Sequence, residues 1–166
     1  MSVQAKKAPM TADTQFEPAT VNVRIKISAL WTAMLFVWVY VDLYRYYRAD
    51  YRAEVEAGEL GPFSINQGVL LGITVYIAIA ALMIFLSLVL PARGARIANI
   101  TLSVLYAATI IGGAMGEWYY YVFGSAVEVT LLAAIAFYAW TWPKVPASGS
   151  ADRAEAGADH LQHTGT

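Results

Sequence analysis

Three carboxylates stand where a soluble reading of this chain would not put them. Asp42, Glu117 and Glu128 each fall inside or at the edge of a long apolar stretch. Acids at bilayer depth hold and release a proton, bind a cation or fix a polar ligand. A carboxylate at the centre of a span costs on the order of 2.5–3.5 kcal/mol on insertion scales, and less near the interface, where Asp42 and Glu117 are expected. Glu128, about six residues into the last apolar stretch and ~9 Å below its outer end, is the deepest. Arg45 follows Asp42 by three residues, which puts both on one helix face and predicts a locally neutralised pair. Glu117 and Glu128 are eleven residues apart, almost a whole number of helical turns. The functional reading is a proton, cation or ligand site built from Glu128 with Asp42 or Glu117. The plain structural alternative is an interface anchor at Asp42, a helix-end residue at Glu117, and a protonated acid bonded to a neighbouring helix at Glu128.

Other chemistries are poorly provided for. The chain has no cysteine, which excludes disulfides, thiol relays and iron–sulfur clusters. Its two histidines, His160 and His163, both lie in the polar C-terminal segment, so no metal site and no haem ligation is expected. No nucleotide-binding glycine loop, nucleophile elbow or zinc spacing occurs. A net charge of −1 argues against nucleic acid, which needs a basic face. No catalytic residues and no cofactor are assigned, and a non-enzyme is expected.

The elements that must position the acids are transmembrane helices. Of the 166 residues 58% are hydrophobic and only 14% charged, where a soluble domain carries about 25% charged. Val69 to Leu90 is an unbroken apolar run, long enough at ~1.5 Å per residue to cross the ~30 Å hydrocarbon core. The fold class read from this pattern is an all-α four-helix transmembrane bundle over residues 23–143. Its spans lie at about 25–46, 68–90, 97–116 and 122–142, with a short outer-face helix at about 50–57. Ser64 and Gln67 fit a capping box before the second span, and Pro91 and Pro143 end the second and fourth. The turn between the third and fourth spans falls at 116–117 or as late as 123–124. Residues 1–22 and 144–166 read as disordered tails, too polar to offset their ordering entropy.

Counting Lys and Arg near the spans puts both termini in the cytoplasm of a bacterial inner membrane. Lys6, Lys7, Arg24, Lys26, Arg93, Arg96, Lys144 and Arg153 face inward, against Arg45, Arg48 and Arg52 outside. Tyr44, Tyr46, Tyr47 and Trp118 to Tyr121 form an expected outer aromatic belt, with Trp31, Trp140 and Trp142 as the inner one. Trp38, Tyr76 and Tyr106 are expected to point into the bundle, where their polar tips find partners. Gly112 and Gly116 make a small-xxx-small pair, read as packing against the fourth span, with a dimer contact as the alternative. The Asn99-Ile100-Thr101 sequon falls at the cytoplasmic start of a span and is set aside as a glycosylation site.

The segments VNVRIKISALWTAMLF (21–36), SINQ (64–67), FLSLVLP (85–91), GEWYYY (116–121), VEVTLL (127–132) and YAWTWP (138–143) together resemble an uncharacterised, actinobacterial-type family of four-span membrane proteins. That resemblance covers Val21 to Lys144 and brings no activity with it. In architecture alone the chain is similar to the DoxX-like group, some of which are accessory subunits of quinone-dependent oxidoreductases. The expected function is therefore a non-enzymatic accessory subunit, or a lipid- or quinone-contacting partner of a membrane complex. The alternative is a small proton-coupled transporter using Glu128. Membrane lipid is the expected partner, and a membrane-protein partner or a homodimer stays open.

Overall fold

The computed structural model describes residues 21–142, so the expected tails lie outside the described residues except for Val21 and Asn22. Five helices and one small hairpin make up the rest. They are α1 (Val23–Arg45), α2 (Ala49–Glu56), β1 (Glu59–Leu60), β2 (Phe63–Ser64), α3 (Gln67–Val89), α4 (Ala92–Gly113) and α5 (Tyr119–Trp140). Four of the helices are long and apolar enough to cross a membrane. At 22 or 23 residues each, they run about 33–35 Å.

The chain folds as an up-down bundle. α1 packs along α3 and α5, α5 packs along α4, and the consecutive pair α3 and α4 touches little. One end carries α2, the hairpin and the α4–α5 turn; it is called the hairpin end below. The other carries the α3–α4 connection and the start of α1.

Lipid tails are as apolar as a leucine side chain, so such a bundle is held by close packing and interhelical hydrogen bonds rather than by transfer from water. The buried stripes reflect this. They are Ile27, Ser28, Trp31, Met34 and Val41 on α1; Ala80, Met83 and Ser87 on α3; Ala95, Asn99, Ser103 and Tyr106 on α4; and Gly124, Ser125, Glu128, Leu132, Ile135 and Ala139 on α5. Most steps along each stripe are three or four residues, or seven from Met34 to Val41, with small and polar residues among the apolar ones.

Trp31 is not an interfacial residue. It is fully buried and crosses the core, its Nε1 donating to Asn99 Oδ1 at 2.7 Å. Ser87 Oγ donates to the same oxygen at 3.1 Å, and Asn99 Nδ2 donates to Ala95 O at 2.8 Å. Asn99 thus ties α1, α3 and α4 together. Nearer the hairpin end, Tyr106 donates to Tyr76 O at 2.5 Å, the Tyr76 hydroxyl meets Thr109 Oγ1, and Trp38 packs edge-on against Tyr76. At the opposite end, Arg24 Nη1 reaches Leu88 O (3.0 Å) and Leu90 O (2.7 Å), satisfying carbonyls that the end of α3 leaves open.

Several local expectations change. The α4–α5 turn lies at residues 114–118, the earlier of the two positions, and α4 begins five residues before the expected span. The cap of α3 is Asn66, whose side chain accepts from Val69 N at 3.0 Å, while Ser64 belongs to β2. Gly112 and Gly116 do not form a packing motif. A Cβ on Gly112 would meet nothing within 4 Å, and Gly116 sits in the turn beyond α4 with φ +84°. Glycine is needed at 116 because other residues are strained at positive φ. The close approach of two helices occurs at Gly124 instead, whose missing Cβ would overlap Val41 of α1.

Candidate functional site

At the hairpin end α1 runs on into the short loop before α2, and Arg45 and Arg48, one turn apart, project towards the α4–α5 turn. There Glu117, one residue before the Trp118 N-cap of α5, receives both. Arg45 Nη2 pairs with Glu117 Oε1, and Arg48 Nη1 with Glu117 Oε2 at 2.5 Å. Arg48 also grips Asp50 through two nitrogens, Nη2 at 2.6 Å and Nε at 3.2 Å. The planar guanidinium suits such forked bonding. Arg45 lies between the rings of Tyr51 (4.9 Å) and Tyr121 (4.6 Å), and Arg48 over Trp118 (4.5 Å). These cation–π contacts and ion pairs staple α1, α2 and the α4–α5 turn into one assembly.

Two expectations are corrected by this arrangement. Arg45 does not neutralise Asp42 by an ion pair; its partner is Glu117, from the α4–α5 turn. Glu117 is not merely a helix-end residue: its two oxygens are taken by arginines from α1 and the loop after it, and no side chain caps α5. Burial by itself works to raise the Glu117 carboxyl, but the hydrogen bonds and charges of Arg48 and Arg45 outweigh it and hold the group below the usual carboxylate range. Asp50 is held low chiefly by its hydrogen bond to Arg48.

Glu128 lies nine residues into α5, ~13 Å along the helix axis and deeper than a span beginning at 122 implies. It is 3% exposed, facing the interior rather than lipid, and its Oε1 has no hydrogen-bond partner among the described residues. Asp42 of α1, Tyr121 of α5 and Tyr76 of α3 lie within electrostatic reach of it. Asp42 also feels the charges of Arg45 and Glu117. The three acids therefore do not meet in one pocket. They form a column along the α1–α5 seam, with Glu117 in the arginine cluster at the top, Asp42 between, and Glu128 buried below.

Beside the column, α3 and α4 part to leave a cleft of about 710 Å³. Val69, Gly72 and Ile73 line one wall and Gly112 and Gly113 the other, with the hairpin residues Leu60 to Phe63 over it. Arg45, Glu117, Tyr51 and Tyr121 give it a polar side. The glycines have no Cβ to fill the space, and a Cβ on Gly72, Gly112 or Gly113 would still meet nothing within 4 Å. The cleft is mostly apolar with a few convergent polar groups, the make-up of a small-molecule site.

The cleft and Arg48 were not legible in the sequence. The only sign of the cleft is Gly112-Gly113 facing Gly72, and that pairing needs the tertiary structure to be seen. Asn99 carried a usable signal, a lone amide in an apolar span.

No curated protein and no solved structure matches the chain. A family model described as a family of unknown function (DUF6326) matches residues 16–148, which takes in every described residue. This four-span bundle belongs to that family.

Proposed function

We propose that the protein is a non-enzymatic membrane component that holds an amphiphile, a lipid or a quinone, in the cleft between α3 and α4, as an accessory subunit of a larger membrane complex. The observation that carries this reading is the cleft itself: apolar walls open between two transmembrane helices, with the Arg45–Glu117 pair at its polar side. An acyl or isoprenoid tail fits against Val69, Ile73 and Phe63. A head group fits against Tyr51, Tyr121 and the Arg45–Glu117 pair, which line the cleft. The non-enzymatic part of the reading rests on the absence of cysteine and of recognisable nucleophile motifs in the sequence.

An N-in, C-in orientation in a bacterial plasma membrane goes with this reading. Among the described residues, Arg24, Lys26, Arg93 and Arg96 stand at the end opposite the hairpin with no acid beside them, whereas Arg45, Arg48 and Arg52 share their end with Asp50, Glu54, Glu56, Glu59 and Glu117. That asymmetry supports the basic end as cytoplasmic. The likeness in architecture to the DoxX-like group supports the accessory role and nothing more specific.

Photolabelling tests the cleft. A diazirine-bearing phosphatidylglycerol and a diazirine-bearing quinone are each added to the full chain in bilayers, and labelled peptides are mapped. Labels on the 69–73 and 112–113 segments, suppressed by Gly112→Leu, are expected from at least one probe. Labels spread evenly over the lipid-facing helix surfaces, or unchanged in Gly112→Leu, would remove the reading.

A further inference from the structure

We infer that Glu128, with Asp42 as its electrostatic partner, is an exchangeable proton site inside the bundle. The argument starts from what surrounds the carboxyl. Glu128 is 3% exposed on a membrane-crossing helix, and its Oε1 finds no donor among the described residues. From α1 the charged groups in its neighbourhood are Asp42 and, one turn further, Arg45. From α3 it faces Tyr76, whose hydroxyl is engaged by Thr109. From α4 the nearest titratable group is Tyr106, stacked on Tyr76 at 4.5 Å and donating to the Tyr76 carbonyl. On its own helix it faces Tyr121, which packs against Arg45.

Among the described residues the cation near this set is Arg45, and Glu117 already holds it. Asp42 shares the field of Arg45, being three residues away on the same helix. Glu128 has no such compensation. An ionised carboxylate enclosed without a counter-charge is so costly that the group takes up a proton instead. A second acid nearby strengthens that outcome, since two like charges cannot both be held cheaply in a dry interior. The proton therefore resides on Glu128, and Asp42 sets how firmly it is held. Tyr121 lines the cleft and lies two turns above Glu128 on α5, so about 10 Å of helix separates the carboxyl from the polar side of the cleft.

This site does not depend on what occupies the cleft, and it is read on ligand-free protein. Infrared difference spectra of the full chain in bilayers, taken between mildly acidic and mildly alkaline pH, report protonated carboxyls directly. The expected result is a protonated-carboxyl band in the wild type that shifts in heavy water, fades as pH rises and is missing from Glu128→Gln. In Asp42→Asn the band is expected to fade at lower pH, because removing the like charge lets Glu128 ionise more readily. A band insensitive to heavy water, or the same spectrum in wild type and a folded Glu128→Gln, would overturn the inference. So would an Asp42→Asn variant whose band fades at unchanged or higher pH. Loss of the band on adding sodium at constant pH would overturn it too, because the site would then be a metal-cation site. Should Glu128→Gln fail to fold, the wild-type and Asp42→Asn spectra still decide it. Failed photolabelling of the cleft leaves all of these readings untouched.

Discussion

Gly124 is where α1 and α5 come closest, and giving it one methyl group probes the seam that carries Asp42, Arg45 and Glu128. A Cβ built on Gly124 would overlap Val41 Cγ2 and stand 3.3 Å from Cγ1 and 3.4 Å from Cβ of the same residue. Carbon atoms rest comfortably at about 3.5–4.0 Å, so the helices must part or Val41 must leave its position. Val41 is only 9% exposed and has little room to turn. Overpacking of this kind costs about 1–3 kcal/mol. Alanine in place of glycine returns about 0.8–1.0 kcal/mol of helix propensity, so the single variant nets a loss of roughly 0–2 kcal/mol.

That range is too wide to decide anything alone, and the informative quantity is the coupling with Val41→Ala. Removing both γ-carbons of Val41 clears the two closest contacts of the new methyl and leaves the Val41 Cβ at 3.4 Å, an ordinary van der Waals separation. The Gly124→Ala/Val41→Ala double variant should therefore be more stable than the sum of the two single effects by about 1–3 kcal/mol. The assay is unfolding of the full chain in detergent micelles by sodium dodecyl sulfate titration, followed by helical circular dichroism. Additivity within about 0.5 kcal/mol would refute the close approach and with it the geometry of the acidic column.

Asn99→Leu leaves the Trp31 indole N–H without its acceptor, while Ser87 keeps Met83 O at 2.6 Å. Interhelical hydrogen bonds in membranes average about 0.6 kcal/mol and reach ~1.7, so a loss of about 1–2 kcal/mol is expected by the same titration. Trp31→Phe should cost less in the Asn99→Leu background than in the wild type, because there it removes a buried donor that has lost its acceptor. Gly116→Ala should cost roughly 1–2 kcal/mol because its φ of +84° is left-handed, whereas Gly112→Ala, with open space around it, should be neutral or stabilising. Equal effects at the two positions would contradict their different roles. The Glu117 carboxyl is held below its ordinary value of 4.5 in the folded protein, burial being outweighed by Arg48 and Arg45. A depressed folded value means its stabilisation is fully present above 4.5 and is lost as pH falls through the folded value. Acid titration of stability should therefore show wild type and Glu117→Gln converging at low pH and separating above it; parallel curves would show that the arginine cluster contributes nothing.

The sequence by itself determined that four helices cross lipid, roughly where each begins and ends, and that Glu128 is the deepest acid. Those properties are local. Apolar length decides spanning, Pro91 marks an end, and the recurrence of Gly124, Glu128 and Leu132 at every fourth residue puts them on one face. The inward turn of Tyr76 and Tyr106 was legible too, since a hydroxyl at bilayer depth needs a partner. Only the tertiary structure decided which residues meet. Arg45 chooses Glu117, distant in sequence, over Asp42 three residues away, because α2 and the α4–α5 turn bring a better-placed carboxylate to it. Trp31 lies in the core because Asn99 awaits it across the bundle. The glycines at 72, 112 and 113 line a cleft, and only the one at 124 brings helices together. Spacing along one helix reports which face a side chain shares, but not what the opposite helix offers at that height, and ion pairs, cavities and close approaches all depend on the second.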